Sequence, residues 1–224
     1  MSQSSNTTRT KRSIEDAITA FRNGNPVLIH DAADREGEVD LVYPAEAVSP
    51  VDVARMRNDA GGLICVALPD SIAEEWRLPF LHDALDHPTA SGHDLGYDHR
   101  SSFSLTVNHR DTYTGITDND RARTISEIGT AAKAPGTVQF DAEFRSPGHV
   151  HLLRAAPALL EEREGHTELG LALADAANIA PAVVVSEMLD DETGMALTPP
   201  AARAYADRHD LSYLEGASLL ERFG

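Results

Sequence analysis

Apolar and polar residues alternate along the chain in patterns that predict helices and strands in turn. Apolar side chains recur at helical spacing from Ile14 to Phe21, and Gly24 stands where that helix would end. Ser13 and Asp16 have the residue types of an N-cap and its N3 partner. The first predicted element is therefore a helix that begins at Ser13.

The same reading predicts further strands and helices along the whole chain. The predicted strands are PVLIH (26–30), VDLVY (39–43), LICVAL (63–68), FSLTV (103–107), HVHLL (149–153) and PAVVVSEML (181–189). The predicted helices run from Pro50 to about Ala60, over 70–76, from Asp120 to Ala132 and over 167–179, and the C-terminal tail is predicted as helix, short strand and helix. Residues 79–100 are polar and predict a long loop, whose irregularly spaced histidines indicate no metal site. This order predicts an α+β (mixed α/β) layered fold, with a mixed, twisted β-sheet flanked by helices.

Length and hydrophobic content predict one domain. A chain of 224 residues with 42% hydrophobic content can bury a sizeable core. We expect residues 1–12 to form a disordered tail and residues 13–224 to form the single domain. No apolar run approaches the roughly 20 residues of a membrane span, and the N-terminus lacks the apolar segment of a signal peptide. Because Cys65 is the only cysteine, the sequence favours a reducing cytoplasm over an oxidising compartment.

The balance of charge indicates where the protein works. The formal net charge is −17, and Lys11 and Lys133 are the only lysines. This excess of acid disfavours binding to nucleic acid, whose phosphates it would repel. Concentrated salt shortens the screening length to about 3 Å at 1 M and removes most of the self-repulsion. We therefore expect a halophile-like cytoplasm, and an ordinary acidic protein is the alternative.

The loop DREGEVD, residues 34–40, lies between the first two predicted strands and concentrates charge. Arg35 precedes the alternating carboxylates of Glu36, Glu38 and Asp40. Hard oxygen ligands at this spacing suit Mg²⁺ or Mn²⁺. A solvent-facing acidic loop is the structural alternative.

The segment REGHTELGLAL places polar residues at the start of an apolar helical pattern. Helix N-terminal amides, the Thr167 hydroxyl and the Arg163 guanidinium could together cradle a phosphate. Gly165 would let the backbone approach closely. A simple N-cap at Thr167 is the structural alternative, but it explains neither Arg163 nor His166.

Two isolated polar residues stand at the edges of predicted strands. Glu187 directly follows a buried apolar run, a position suited to a general acid or base. His149, in SPGHVHLL, could exchange a proton near neutral pH. Either residue alone would more often have a structural role. Their occurrence together with the acidic loop and the predicted phosphate-binding segment favours a functional role.

Several of these segments together resemble one family. DREGEVDLVYPAE, SPGHVHLLRA, REGHTE and VVVSEMLDDETGMA resemble, in the same order, segments of the 3,4-dihydroxy-2-butanone 4-phosphate synthase family. TGITDNDRARTI resembles a threonine- and serine-rich segment of that family that ends in Asp-Arg, here Asp120 and Arg121. The resemblance extends from Ser13 to the C-terminus.

The resemblance implies an activity and an assembly. It implies a lyase of riboflavin biosynthesis that converts D-ribulose 5-phosphate to L-3,4-dihydroxybutan-2-one 4-phosphate and formate, dependent on Mg²⁺ or Mn²⁺. It further implies a homodimer with active sites at the subunit interface. The composition and hydropathy, as above, favour a cytoplasmic protein with neither a nucleic acid nor a membrane partner. With the acidic composition, the resemblance suggests a halophilic archaeon as the source.

Roles for individual residues also follow from the resemblance. It implies that Glu36 and His166 are the metal ligands. The implied substrate contacts are Arg35, Glu36, Asp40, Arg163, Glu164, Gly165, His166, Thr167 and Glu187. The implied catalytic residues are His149 and Glu187. The reaction also needs several proton donors and acceptors, which Glu38 and Asp40 could supply together with them. We expect the 34–40 loop to close over the substrate with Gly37 as its pivot.

Two other functions remain open at this point. A different metal-dependent phosphosugar enzyme, an isomerase or an aldolase, would share the enediolate step and differ afterwards. A non-catalytic module that binds anionic metabolites would keep the phosphate cradle without needing His149 or Glu187.

Overall fold

A computed structural model describes residues 14–31, 37–90, 95, 96, 98 and 100–224. Its described strands are β1 (Val27–His30), β2 (Val39–Pro44), β3 (Cys65–Leu68), β4 (Phe103–His109), β5 (Phe144–Arg154), β6 (Val183–Glu187) and β7 (Ser212–Glu215). They form one sheet in the order β4-β5-β3-β6-β2-β1-β7. The pairs β3/β5 and β1/β7 are parallel and the other neighbours are antiparallel. The predicted mixed sheet is confirmed.

Helices cover both faces of this sheet. They are α1 (14–22), α2 (Pro50–Asp59), α3 (Asp70–Glu75), α4 (Leu81–Ala84), α5 (Asp118–Ala131), α6 (Phe140–Glu143), α7 (His166–Ala177), α8 (Pro199–His209) and α9 (Gly216–Phe223). Short 3-10 turns lie at Ala45–Ala47, Pro88–Ala90, Pro135–Thr137 and Leu159–Glu161. Among the described residues, no helix has the length and apolar character that crossing a membrane requires.

The alternation of side chains along each strand divides the core into two layers. Leu41 and Tyr43 of β2 face a core shared with α2, α3, α5 and α8. Val42, between them, faces a second core shared with α1, α7 and α9. Because the central strands are covered on both faces, their sequences are almost continuously apolar, as in VLIH and VVVSE. The predicted layered α+β fold is confirmed.

Local signals in the sequence correctly predicted several element ends. Ser49 and Asp52 form a capping box at the start of α2, with a 2.9 Å bond from the Ser49 amide to the Asp52 carboxylate. Gly24, predicted to end the first helix, has φ +81°, which favours glycine. The N-cap assigned to Ser13 lies outside the described residues.

Other boundaries differ from the sequence-based predictions. Helix α7 begins at His166 with Gly165 as its N-cap, so the predicted start at Thr167 was wrong by one residue. The segment 79–100, predicted as loop, contains α4 and a 3-10 turn. The Arg100 guanidinium lies 3.4 Å from the centre of the Phe80 ring next to α4, a tertiary contact that local periodicity does not reveal.

Candidate active site

A cavity of about 360 Å³ opens on the face of the sheet that carries α7. Its polar lining residues are Glu38, Asp40, Ser101, Ser102, Arg163, His166 and Glu187. Its apolar and thiol lining residues are Leu63, Cys65, Leu95, Phe103, Leu153 and Val185. The cavity therefore combines a set of polar side chains, three of them carboxylates, with an apolar wall, as small-molecule sites do.

Strand pairing explains why two of the carboxylates meet. Asp40 on β2 pairs directly with Glu187 on β6, and Cys65 on β3 pairs with Val185. Directly paired residues in a sheet point to the same face, so the acids project together toward α7. Asp40 is almost fully buried, whereas Glu187, at the end of its strand, is half-buried.

The N-terminus of α7 brings His166 to these acids. The His166 Nδ1 atom lies 3.8 Å from the Asp40 Oδ2 atom. Helix α7 can approach the sheet closely because Gly170 lacks a side chain. A Cβ atom at position 170 would lie 3.0 Å from Val183 Cγ2 and 3.5 Å from Val42 Cγ1. The glycine thus sets the distance between the imidazole and the carboxylates.

Arg163 reaches the cavity from the turn before α7 and is held there by two carboxylates. Its Nη1 donates to Glu168 Oε2 at 2.9 Å, and its Nε donates to Asp98 Oδ2. Glu168 is fully buried, and its other oxygen accepts a 3.0 Å bond from the Ala156 amide. Burial raises the pKa of the Glu168 carboxyl, and the nearby Arg163 charge opposes that shift.

Cys65 lines the cavity without the properties of a nucleophile. Burial, and then the carboxylates of Asp40 and Glu187, raise the pKa of its thiol to about 12. The thiolate is the reactive form of cysteine, so this environment keeps the side chain inert at neutral pH. Cys65 is accordingly part of the buried core on this face of the sheet.

His149 is exposed on β5 and does not contribute to the described lining of the cavity. Its backbone amide donates to Asn108 Oδ1 at 2.8 Å, and its ring Nδ1 lies 3.2 Å from Asn108 Nδ2. This contact lies where the pairing of β4 with β5 shifts register, after Val107. The imidazole is therefore held in place outside the described lining of this chain's own cavity.

The structure brings together part of the predicted site. Of the predicted residues, Glu38, Asp40, Arg163, His166 and Glu187 line one cavity. Three other predicted residues, Glu164, Gly165 and Thr167, do not belong to the described lining of the cavity. Gly165 is buried as the N-cap of α7, Glu164 is exposed, and the Thr167 side chain is fully buried. Arg35 and Glu36 lie outside the described residues, and Gly37 beside them has φ +66°. The roles of all these residues stay predictions.

The charges at the cavity fit a divalent cation. Three carboxylates, on Glu38, Asp40 and Glu187, face one cavity, and the one guanidinium in its described lining already binds Asp98 and Glu168. Carboxylate oxygens and an imidazole nitrogen are donors that suit Mg²⁺ or Mn²⁺. Within the described ranges no group of three His, Cys, Asp or Glu side chains forms a complete metal site. The donor set fits the ion, and the predicted ligand Glu36 belongs to the neighbouring segment outside those ranges.

Sequence reasoning missed several residues around the cavity. Ser101 and Ser102 line it, and Asp98 binds Arg163, although all three adjoin or belong to the segment 79–100, which was predicted only as a loop. Their position immediately before the predicted strand at 103–107 was the available signal, since cavities often open at strand ends. Glu168 gave no such signal, because within a helical pattern it resembles an ordinary first-turn acid.

A mixed sheet whose cavity combines paired carboxylates, an imidazole and a guanidinium is typical of an enzyme that acts on a small anionic substrate. Residues 15–222 match the family model described as 3,4-dihydroxy-2-butanone 4-phosphate synthase. The chain belongs to the 3,4-dihydroxy-2-butanone 4-phosphate synthase family. The predicted family and the prediction of an enzyme are thereby confirmed.

Individual relatives agree with this assignment. The chain is 51% identical over 221 residues to the 3,4-dihydroxy-2-butanone 4-phosphate synthase of Archaeoglobus fulgidus, covering 93% of each chain. It is 48% identical over 223 residues to that of Methanosarcina mazei, covering 94% of this chain and 90% of the relative. A crystal structure of a 3,4-dihydroxy-2-butanone 4-phosphate synthase in complex with two magnesium ions aligns with a TM-score of 0.77 and 30% identity, covering 92% of this chain and 94% of that one.

Proposed function

We propose that this chain is a metal-dependent carbon–carbon lyase of riboflavin biosynthesis that converts D-ribulose 5-phosphate to L-3,4-dihydroxybutan-2-one 4-phosphate and formate. Family membership supports the reaction. The observation that carries the choice of site is the convergence of Asp40, His166 and Glu187, from three distant segments, on one cavity.

His166, with Glu36 from the neighbouring segment, would hold Mg²⁺ or Mn²⁺. The magnesium ions of the related crystal structure support a divalent ion here. When bound, such an ion would act as a Lewis acid toward vicinal substrate oxygens. Asp40, 3.8 Å from the His166 ring, would orient that imidazole, since carboxylates commonly fix the rings of metal-binding histidines.

The carboxylates would move the protons. A proton must leave the carbon beside the ketone, and later steps that lose water and formate need further donors and acceptors. Asp40 on β2 and Glu187 on β6 face the substrate space from paired positions, and Glu38 faces it from just before β2. The apolar wall formed by Leu63, Phe103 and Val185, among others, would restrict water around the enediolate.

The phosphate would bind at the start of α7. Backbone amides there are not used within the helix and attract anions, and Gly165 as N-cap leaves them accessible. Arg163 lies on the cavity wall beside them. Glu164 and Thr167 would bind the phosphate through their backbone amides. For Thr167 this follows because its side chain is fully buried. Arg35 would approach from the 34–40 loop as it closes about Gly37.

The active form would be a homodimer with its sites at the subunit interface. His149 is exposed, and Asn108 fixes it outside its own chain's cavity, so its imidazole could reach the active site of the partner subunit.

Mixing the inactive variants His149→Ala and Glu187→Gln tests whether His149 acts across the interface. If His149 acts across the interface, random reassociation restores about a quarter of the parental activity, through heterodimers with one intact site. Absence of any restoration, in a mixture shown to contain heterodimers, would place His149 in its own chain's site.

The working compartment would be a salt-rich, reducing cytoplasm. The net charge of −17 and the single buried cysteine support this setting.

Formate distinguishes this reaction from its closest chemical alternative. An isomerase or aldolase acting through the same enediolate would consume D-ribulose 5-phosphate without releasing formate. We expect one formate for each ribulose 5-phosphate consumed, measured with a coupled formate dehydrogenase. Consumption without formate would favour the isomerase or aldolase.

A further inference from the structure

A second, larger cavity lies on the opposite face of the sheet from the candidate active site. Its volume is about 680 Å³, and it opens between the end of α3, the edge strand β4, its neighbour β5, and α6. Leu78, Val107 and Phe144 on its wall belong to the core layer that does not contact α7. The two cavities share no described lining residue. We call this second cavity the arginine groove.

Three guanidinium groups surround the arginine groove, in a chain with a net charge of −17. Arg77 is exposed and makes no side-chain hydrogen bond or ion pair with any described residue. Arg110 donates through Nε and Nη2 to the Asp141 carbonyl, at 3.0 and 2.8 Å, so its Nη1 stays available. Such groups are suited to bind a phosphate or a carboxylate.

Arg145 adds a buried donor to the same groove. Its Nη2 donates to the carbonyls of Thr112 and Tyr113, at 3.4 and 3.2 Å. Its Nε is buried and has no hydrogen-bond partner among the described residues. A buried charged donor without a partner is costly, so a ligand atom or a water is expected there.

The floor of the groove is apolar and rigid. Phe140 stacks between Trp76 and Phe144, with ring centres 4.7 and 4.5 Å apart and planes tilted by 21° and 22°. Trp76 is further fixed by a 3.2 Å bond from its Nε1 to the Pro135 carbonyl. Leu105 completes this surface. Trp76 and Phe144 are buried, so an apolar body would pack against the partly exposed Phe140 and Leu105 without reorganising the protein.

Two carboxylates narrow the choice of ligand. Glu75 and Asp141 also line the groove, and neither side chain forms an ion pair with a described residue. A simple polyanion would be repelled by them, whereas hydroxyl or amino groups could donate to them. The ligand must therefore combine an anionic group, hydrogen-bond donors and an apolar ring.

We propose that the arginine groove binds a nucleoside monophosphate or a similar ring-bearing monophosphate. The phosphate would lie between Arg77 and Arg145, the sugar hydroxyls near Glu75, and the ring against the aromatic floor. Arg77 follows the C-cap of α3 and has φ +55°, the left-handed conformation in which many helices end, and the Leu78 amide donates to the Ala73 carbonyl at 2.7 Å across this turn. This site is independent of the proposed lyase reaction.

Trp76 gives a direct test because it is the only tryptophan in the chain. We expect adenosine 5′-monophosphate, added to the purified full-length protein, to change the tryptophan fluorescence in a saturable way. Loss of one charge-assisted hydrogen bond in Arg77→Gln should weaken binding about tenfold. Arg208→Gln, which removes an exposed arginine on α8, should leave the affinity unchanged.

Fragments of the ligand test the combined chemistry of the site. Adenosine without phosphate, and inorganic phosphate without a ring, should each bind at least about tenfold more weakly than the monophosphate. Absence of a saturable change would overturn the proposal, and would be the result if a second subunit covered the groove. Equal affinities of the parent and Arg77→Gln proteins, checked for equal melting temperature, would also overturn it. Inorganic phosphate binding as tightly as the nucleotide would reduce the groove to a simple anion site.

Discussion

At the scale of single residues, the cavity controls reactivity through burial and charge. Cys65 lies beside two carboxylates on the cavity wall, and these surroundings raise the pKa of its thiol to about 12. Arg163 shows the converse effect, because a guanidinium at the same cavity is stabilised by Asp98 and Glu168. The carboxylates around the cavity thus disfavour ionisation of the Cys65 thiol and stabilise the positive charge of the Arg163 guanidinium.

The first prediction concerns the reactivity of Cys65. With a pKa of about 12, its thiolate fraction at pH 8 is about one in ten thousand. Alkylation by iodoacetamide at pH 8 should therefore be about a thousandfold slower in the folded protein than in the same chain unfolded in urea. The rate in the folded protein should rise with pH well beyond pH 9. A folded-state rate within tenfold of the unfolded rate would contradict the assigned environment.

The second prediction concerns the support of Arg163 by Glu168. The two oxygens of this buried carboxylate each accept one bond, from Arg163 and from the Ala156 amide. In Glu168→Gln an amide NH₂ group must face one of those donors, which should cost about 3 kcal/mol in the free energy of unfolding. The KM for the phosphorylated substrate should also rise, because Arg163 loses its orientation.

Urea unfolding of matched variants checks this second prediction. Glu161→Gln removes an exposed carboxylate just before the same turn and should change stability by less than about 0.5 kcal/mol. A Glu168→Gln protein as stable as the parent, with an unchanged KM, would show that Glu168 does not hold Arg163.

Sequence reasoning reached the residues of the site that stand out locally. Asp40, His166 and Glu187 interrupt apolar patterns at element ends, where a polar residue calls for an explanation. Glu168 occupies a normal position for a helix acid, and its burial is decided by packing against distant residues. Burial that results from tertiary packing does not appear in the local sequence pattern. The ion pair between Glu168 and Arg163 was therefore not predicted.

At the scale of elements, the site depends on how closely α7 approaches β6 and β2. The helix and both strands were predicted from their apolar patterns. The direct pairing of β2 with β6 joins segments far apart in the chain, so no local signal contained it. The start of α7 was missed by one residue because Gly165 provides no capping side chain to recognise.

The third prediction tests this close approach. In Gly170→Val the Cβ atom alone would lie 3.0 Å from Val183 Cγ2, and the two methyl groups beyond it would overlap that side chain, so α7 must move away from the sheet. We expect a loss of about 1–3 kcal/mol in stability, the usual cost of overpacking. Activity should fall further than stability explains, because His166 moves away from Asp40.

Asp175→Val is the matched control for the third prediction, since it places the same β-branched residue on an exposed position of α7. It should cost only the small difference in helix propensity, under about 0.7 kcal/mol. Thermal melting and turnover of both variants provide the measurement. A Gly170→Val protein with parental activity would show that the approach of α7 does not set the site geometry.

At the scale of the entire chain, the dominant feature is a net charge of −17 on 224 residues. Ion pairs such as Arg123–Asp111 and Lys133–Glu46 are largely exposed and therefore compensate little of this charge. Self-repulsion of the folded state is therefore expected to be strong at low ionic strength and weak at high ionic strength.

The fourth prediction follows from this charge. Raising KCl from about 0.1 M to 1 M shortens the screening length from about 10 Å to about 3 Å. The melting temperature should therefore rise with KCl. Sucrose, which stabilises by exclusion from the protein surface without screening, is the control and should give a smaller rise in low salt. A melting temperature that falls or stays constant with KCl would contradict the expectation of a salt-adapted protein.

Above all, we propose that His166 and the facing carboxylates form one metal-dependent lyase site. Formate release from D-ribulose 5-phosphate, measured with Mg²⁺, with a chelator, and in His166→Ala, is the decisive measurement. We predict that formate appears only with Mg²⁺ in the parent protein and falls by at least about a hundredfold in His166→Ala, with the fold retained by circular dichroism. Formate release that persists with the chelator, or at the parental rate in His166→Ala, would contradict this assignment.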